Sequence, residues 1–107
     1  MKILFVGDIV GKPGRKATAQ IAGEMKKRGE VDFVVANAEN AAGGRGPSSK
    51  IARQLFEAGA DILTLGDHAW DEKELLPLLD EDKRLVRPAN FASGCPVEVK
   101  IPSFTAA

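Results

Sequence analysis

Ile3-Leu4-Phe5-Val6-Gly7-Asp8 is the stretch that decides the fold. Four β-favouring apolar residues stop at a glycine, and an acid follows at once. Such a run predicts a short strand buried on both faces. The pattern returns at Asp32-Phe33-Val34-Val35-Ala36, which leads into Asn37-Ala38-Glu39-Asn40, and again at Ala60-Asp61-Ile62-Leu63-Thr64-Leu65, which leads into Gly66-Asp67-His68. Arg84-Leu85-Val86 predicts a fourth strand, and the alternation of Val97-Glu98-Val99-Lys100-Ile101 a fifth, at a sheet edge.

The segments between these runs read as helices. Arg15 to Arg28 has helical composition, with Ala17, Ile21, Ala22 and Met25 near one face, Pro13 suited to a first turn and Gly29 to the stop. Ser48 or Ser49 can cap a second helix through Ala58, with Ile51, Leu55 and Phe56 turned inward. Asp71 is placed to cap a short third helix, Glu72 to Leu79, interrupted by Pro77. Strands alternating with helices predict an α/β fold around a parallel sheet with right-handed crossovers.

The bulk properties narrow the class. The chain has 107 residues, which suits one small domain spanning 1–107. Hydrophobic residues make up 44% and charged residues 28%, as in a soluble globular protein rather than a disordered one. Lys plus Arg and Asp plus Glu number 15 each, so the overall balance makes no case for a polyanion, duplex nucleic acid included, or an acidic membrane as partner. A single cysteine, Cys95, excludes an intrachain disulfide and a Cys-x-x-Cys zinc site, and reads as a passive thiol in a loop. The first apolar run is too short for a signal segment or a membrane span, so the cytoplasm is the expected location.

The chemistry is read from position. Asp8, then Glu39 with Asn40, then Asp67 with His68 stand just past three successive predicted strands. In open α/β sheets, ligands bind outside the carboxyl ends of the strands, and parallel strands deliver these groups to one rim. Carboxylates, an amide oxygen and an imidazole suit manganese, iron or zinc better than calcium or a thiolate-seeking metal. Glu39, with two oxygens, can bridge two ions. Two such ions clamp a phosphate and activate a water. Without a cation, Asp8, Glu39 and Asp67 would repel one another.

Each residue alone has a plainer reading. Asp8 can be a turn former, Glu39-Asn40 loop polarity, His68 a solvated or structural histidine and Trp70 a packing residue. The coincidence of three strand ends is what favours a site. Other motifs fail. Gly7 to Lys12 is one residue short of a phosphate-binding loop and lacks its Ser or Thr. Gly43-Gly44-Arg45-Gly46 lacks the setting of a dinucleotide fingerprint. It reads as a turn before a helix, or as a loop that lets backbone and Arg45 approach a phosphate.

Four segments, in order, carry a resemblance: Gly7 to Arg15, Asn37 to Gly44, Gly66-Asp67-His68-Ala69-Trp70-Asp71, and Arg87-Pro88-Ala89-Asn90. Together they resemble the YmdB-like metallophosphoesterases of the calcineurin-like superfamily, from residue 2 to about Asn90. The resemblance implies an α/β/β/α sandwich, of which this chain would be the parallel-sheet N-terminal half. It implies phosphodiesterase activity on a small phosphoester or nucleotide, with 2′,3′-cyclic nucleotides as the substrate class. It also implies a dinuclear centre of two divalent or transition-metal ions, iron or manganese first, with zinc or magnesium as alternatives. By position, Asp8, Glu39 and Asn40 resemble ligands of one metal with Glu39 bridging, Asp67 a ligand of the second, and His68 the catalytic histidine.

Two departures qualify what is expected. The family's Gly-Asn-His reads Gly66-Asp67-His68 here, adding a negative charge beside the metals. Family members are also longer and draw further histidines from their second half, whereas this sequence has only His68. The tail around Cys95 departs from the family's continuation. A C-terminally truncated domain with weak or no activity is therefore expected, with an exposed sheet surface that favours homo-oligomers. The alternative is a noncatalytic metal- or nucleotide-binding remnant of the same scaffold.

Overall fold

The computed structural model describes residues 1–69 and 71–90. Strands β1 (Ile3–Val6), β2 (Phe33–Asn37), β3 (Ile62–Thr64) and β4 (Leu85–Val86) form one sheet in the order β1-β2-β3-β4, all parallel. Helix α1 (Gly11–Lys27) joins the first pair, α2 (Ser49–Glu57) the second, and a 3₁₀ turn (Lys73–Leu75) followed by α3 (Leu76–Glu81) the third. The expected α/β class and parallel sheet are observed. The predicted strand at Val97 to Ile101, the loop setting of Cys95 and the packing of Trp70 lie outside the described residues.

Register divides the strand residues into two faces. Leu4, Val6, Val34, Ala36, Leu63 and Leu85 turn to the helices and meet Ala22 and Met25 of α1, Ala52 and Leu55 of α2, and Leu79 of α3. Burying a leucine of this kind contributes about 1.5–3 kcal/mol. The other face carries Ile3, Phe5, Phe33, Val35, Asn37, Ile62 and Thr64. Ile3 and Phe5 are 60% and 63% exposed. Among the described residues the expectation that β1 is buried on both faces is therefore corrected: helices cover one face only, and β1 stands at the edge of the sheet. The open apolar surface expected from the sequence is present.

Three helix expectations also shift. α1 starts at Gly11 rather than Arg15, because Pro13 needs no amide bond in a first turn and Gly14 N–H already reaches Val10 O at 3.3 Å. Its inner face is Thr18 and Ala22, with Met25 half-buried; Ala17 and Ile21 face outward. Thr18 hides its hydroxyl by donating to Gly14 O at 2.8 Å. Ser48 caps α2, accepting Ile51 N–H at 3.2 Å. Asp71 caps neither element: the 3₁₀ turn begins at Lys73, its cap position is Glu72, which gives no side-chain cap, and Pro77 sits at the start of α3 rather than breaking it.

The base of the sheet is tied by acids that precede strands. Asp32 accepts Lys2 N–H at 2.7 Å, and Asp61 accepts Val34 N–H at 2.8 Å while holding Lys26 Nζ at 2.6 Å. Each carboxylate thus satisfies an amide that begins or precedes the neighbouring strand.

Candidate functional site

At the opposite ends of the strands the chain leaves the sheet in tight turns, and these carry the polar residues. Asp8 follows β1 with φ of 35°, in the left-handed region that Asp tolerates better than most residues. The next amide, Ile9 N–H, donates to Asn37 O at 3.1 Å and locks this turn onto the end of β2. Past β2, Ala38 N–H donates to Thr64 O at 2.9 Å, so the loop bearing Glu39 and Asn40 is pinned to β3.

Two contacts join the predicted residues across strands. Asn40 Nδ2 donates to Asp8 Oδ1 at 2.7 Å. Asp67 N–H donates to Glu39 Oε2 at 3.1 Å. Glu39 lies so close over Gly66 that a β-carbon there would overlap its carboxylate. The turn after β3 must therefore carry glycine at 66 for Glu39 to cross it. His68 does not bond to the other four; its Nδ1 lies 3.0 Å from Asp71 Oδ2.

Asp71 is the residue that sequence reasoning misplaced. Its Oδ2 accepts Gly46 N–H at 3.0 Å and the His68 Nδ1 hydrogen, with Arg45 Nε at 4.0 Å. The Gly46 amide, then His68 and Arg45, hold its carboxyl below the usual carboxylate range against a partial burial that acts the other way. Gly46 has no room for a β-carbon because the His68 carbonyl occupies that space. The spacing His68-x-x-Asp71, like a helical i, i+3 pair, was the signal available in the sequence.

Oxygen donors predominate at the rim and suit a divalent ion of intermediate or hard character. A half-turn of the Asn40 amide would present its oxygen beside Asp8. Among the described residues, no group of three from His, Cys, Asp and Glu comes together. The predicted residues are instead joined in pairs across the strand ends.

A family model described as YmdB-like protein matches residues 4–101. The chain belongs to the YmdB-like family. A YmdB-like relative, the 2′,3′-cyclic-nucleotide 2′-phosphodiesterase of Bacillus subtilis (strain 168), is 45% identical over 96 residues, covering 90% of this chain and 36% of that protein. Among solved structures, a protein of Thermus thermophilus superposes with a TM-score of 0.82 at 42% identity, covering 92% of this chain and 38% of that one. A phosphatase of Mycoplasma pneumoniae does so with a TM-score of 0.79 at 36% identity, over 92% of this chain and 36% of its own. The names of these relatives place the YmdB-like family among phosphoesterases. This chain spans little more than a third of the length of each.

Proposed function

We propose that the protein is a metal-dependent phosphodiesterase acting on 2′,3′-cyclic nucleotides, and that the described residues are one half of a calcineurin-like α/β/β/α sandwich. The observation that carries this is the pairing of donors from three strand ends, Asp8 with Asn40 and Glu39 with the Asp67 amide, in a chain whose Bacillus relative is named for that substrate. The open sheet face supports the missing layer. Asn37, on that face, has its Oδ1 buried without a hydrogen-bond partner among the described residues.

In this proposal Asp8, Glu39 and Asn40 hold one ion and Asp67 a second, with Glu39 shared. The ions would be iron or manganese first, zinc or magnesium next. When bound, they would supply charge neutralisation for the phosphate. His68 acts as the acid: Asp71 steadies the ring through Nδ1, and Nε2 gives its proton to the ribose oxygen as the phosphorus–oxygen ester bond breaks, while a water adds its oxygen to the phosphorus and releases one proton to solvent, from which His68 is reprotonated. Arg45, exposed beside Asp71, supplies positive charge at the same edge. A small soluble nucleotide in the cytoplasm is the expected setting. No described helix is long and apolar enough to cross a membrane.

The test is elemental analysis after metal loading, comparing this chain with its Asp8→Ala, Glu39→Ala variant. Metal retained by the former and lost by the latter is expected, with one weakly held ion and little turnover for these residues alone. No metal in either protein would sink the proposal. Asp67 and the incomplete shell favour the second reading, a noncatalytic nucleotide-binding scaffold. Hydrolysis of a 2′,3′-cyclic nucleotide by the metal-loaded protein would exclude it.

A further inference from the structure

The overall charge balance conceals a local excess. A cavity of about 670 Å³ lies between α1 and α2 on the helical side of the sheet, and four cations line it: Lys12, Arg15 and Lys16 from α1, and Lys50 from α2. Among the described residues, no carboxylate lines it. Lys12, Lys16 and Lys50 are exposed and form no ion pair among the described residues. Neither helix has an acid in its first turn. Cations early in a helix oppose its dipole and destabilise it by about 0.3–1 kcal/mol each. Stability therefore does not account for Lys12 and Lys50, which stand in first turns, whereas an anionic ligand would.

One wall of the groove is bonded to the rim loop. Arg15 Nη1 donates to Ala41 O at 2.6 Å, and Gly11 N–H donates to Asn40 O at 3.3 Å. The start of α1 is thus bonded to the loop that presents Glu39 and Asn40. Lys12 and Lys16 lie one helical turn apart, about 5–6 Å, which is the scale on which successive phosphates follow one another along an extended strand. Ala19, Ile51 and Leu55 give the groove an apolar floor, and among the described residues no aromatic side chain lines it to offer a base a stacking surface. Recognition there would be of backbone phosphate, without regard to sequence.

We propose that this groove binds the sugar–phosphate backbone of a single-stranded oligonucleotide whose 3′-terminal cyclic phosphate lies at the rim. The proposal rests on the function proposed above and extends its substrate from cyclic mononucleotides to the cyclic-phosphate ends of RNA strands. The helical face lies opposite the open sheet face, so a second layer covering the latter leaves the groove accessible.

The experiment measures binding of a fluorescent single-stranded oligouridylate ending in a 2′,3′-cyclic phosphate, by anisotropy across a salt series. Cyclic UMP and polyglutamate serve as competitors. The Lys12→Gln, Lys16→Gln, Lys50→Gln variant is expected to bind the oligonucleotide on the order of tenfold more weakly. Its log–log salt slope should be shallower by about 2, at roughly 0.7 per lost phosphate contact. Its affinity for cyclic UMP should be unchanged. Lys12 and Lys50 stand in first turns and Lys16 is exposed in the second, so removing their charges should not lower the melting temperature, and weaker binding cannot be ascribed to unfolding. Unchanged oligonucleotide binding in the variant would overturn the groove and leave the proposed function standing. Equal loss of oligonucleotide and cyclic UMP would place the cations in the rim site and overturn it as well. Polyglutamate competing as strongly as the oligonucleotide would overturn it in favour of an acidic protein. Cyclic UMP bound by neither protein would sink the proposed function, and with it the placement of the 3′ end.

Discussion

His68 Nδ1 and Gly46 N–H share one acceptor, Asp71 Oδ2, each at 3.0 Å. The glycine-rich loop before α2 and the turn after β3 are therefore fastened together through the carboxylate that orients the imidazole. Asp71→Ala should remove both bonds. Leaving the partly buried Gly46 amide unpaired would destabilise the protein by about 1–3 kcal/mol, read as a shift in the urea midpoint. In the active protein, turnover should fall by about 10–100-fold, the usual effect of losing a partner that orients a site residue.

The same carboxylate sets a pH dependence. Its pKa is lowered in the folded state, so Asp71 contributes stability that is fully present above the ordinary carboxylate value, about 4. That contribution is lost as pH falls through the lowered value. The stability difference between the native chain and Asp71→Asn should be constant from neutral pH to about 5 and should shrink below 4. Urea titrations at a series of pH values would measure it, and a gap that widened in acid would contradict the assignment.

Gly46 and Gly66 should respond differently to alanine. At Gly46 the added carbon meets the backbone carbonyl of His68, which cannot move aside alone, and a loss of about 1–3 kcal/mol is expected. At Gly66 it meets the end of the Glu39 side chain, which can swing away. Gly66→Ala should therefore melt close to the native temperature while losing metal retention. Calorimetry and elemental analysis on the two variants would separate the cases.

The two faces of the sheet predict a contrast. Leu63 is fully buried against the helices, and Leu63→Ala should be destabilising by about 2–5 kcal/mol. Phe5→Ser on the open face should change stability of this chain by less than about 0.5 kcal/mol. It should also reduce any self-association, as read by light scattering. On α2, Ser48→Ala removes the cap to Ile51 and should be destabilising by about 1 kcal/mol.

Much of the architecture was legible because β-rich runs ending in Gly or Asn punctuate the sequence clearly. Val34, Leu63 and Leu85 read as core residues and are core. The strand-end donors were legible too, since parallel pairing carries Asp8, Glu39 and Asp67 to one rim. What escaped depended on through-space contact. An apolar run cannot say how many layers will cover it, so Ile3 and Phe5 read as buried. Asp71 looked like a cap because its partners, Gly46 and His68, meet it only in three dimensions. The Lys12, Lys16 and Lys50 cluster vanished into a net charge of zero, since composition averages over a surface that α1 and α2 do not share evenly.

Asp32 and Asp61 fasten the sheet at its base, far from the rim. One consequence concerns where the molecule breathes. Openings that cost little free energy should begin in the rim turns and stop at the clasped base, so protection of amides from hydrogen exchange should rise along each strand toward its start. The donors at the rim can then adjust to a guest by small hinge movements of their loops while strand register stays fixed below them.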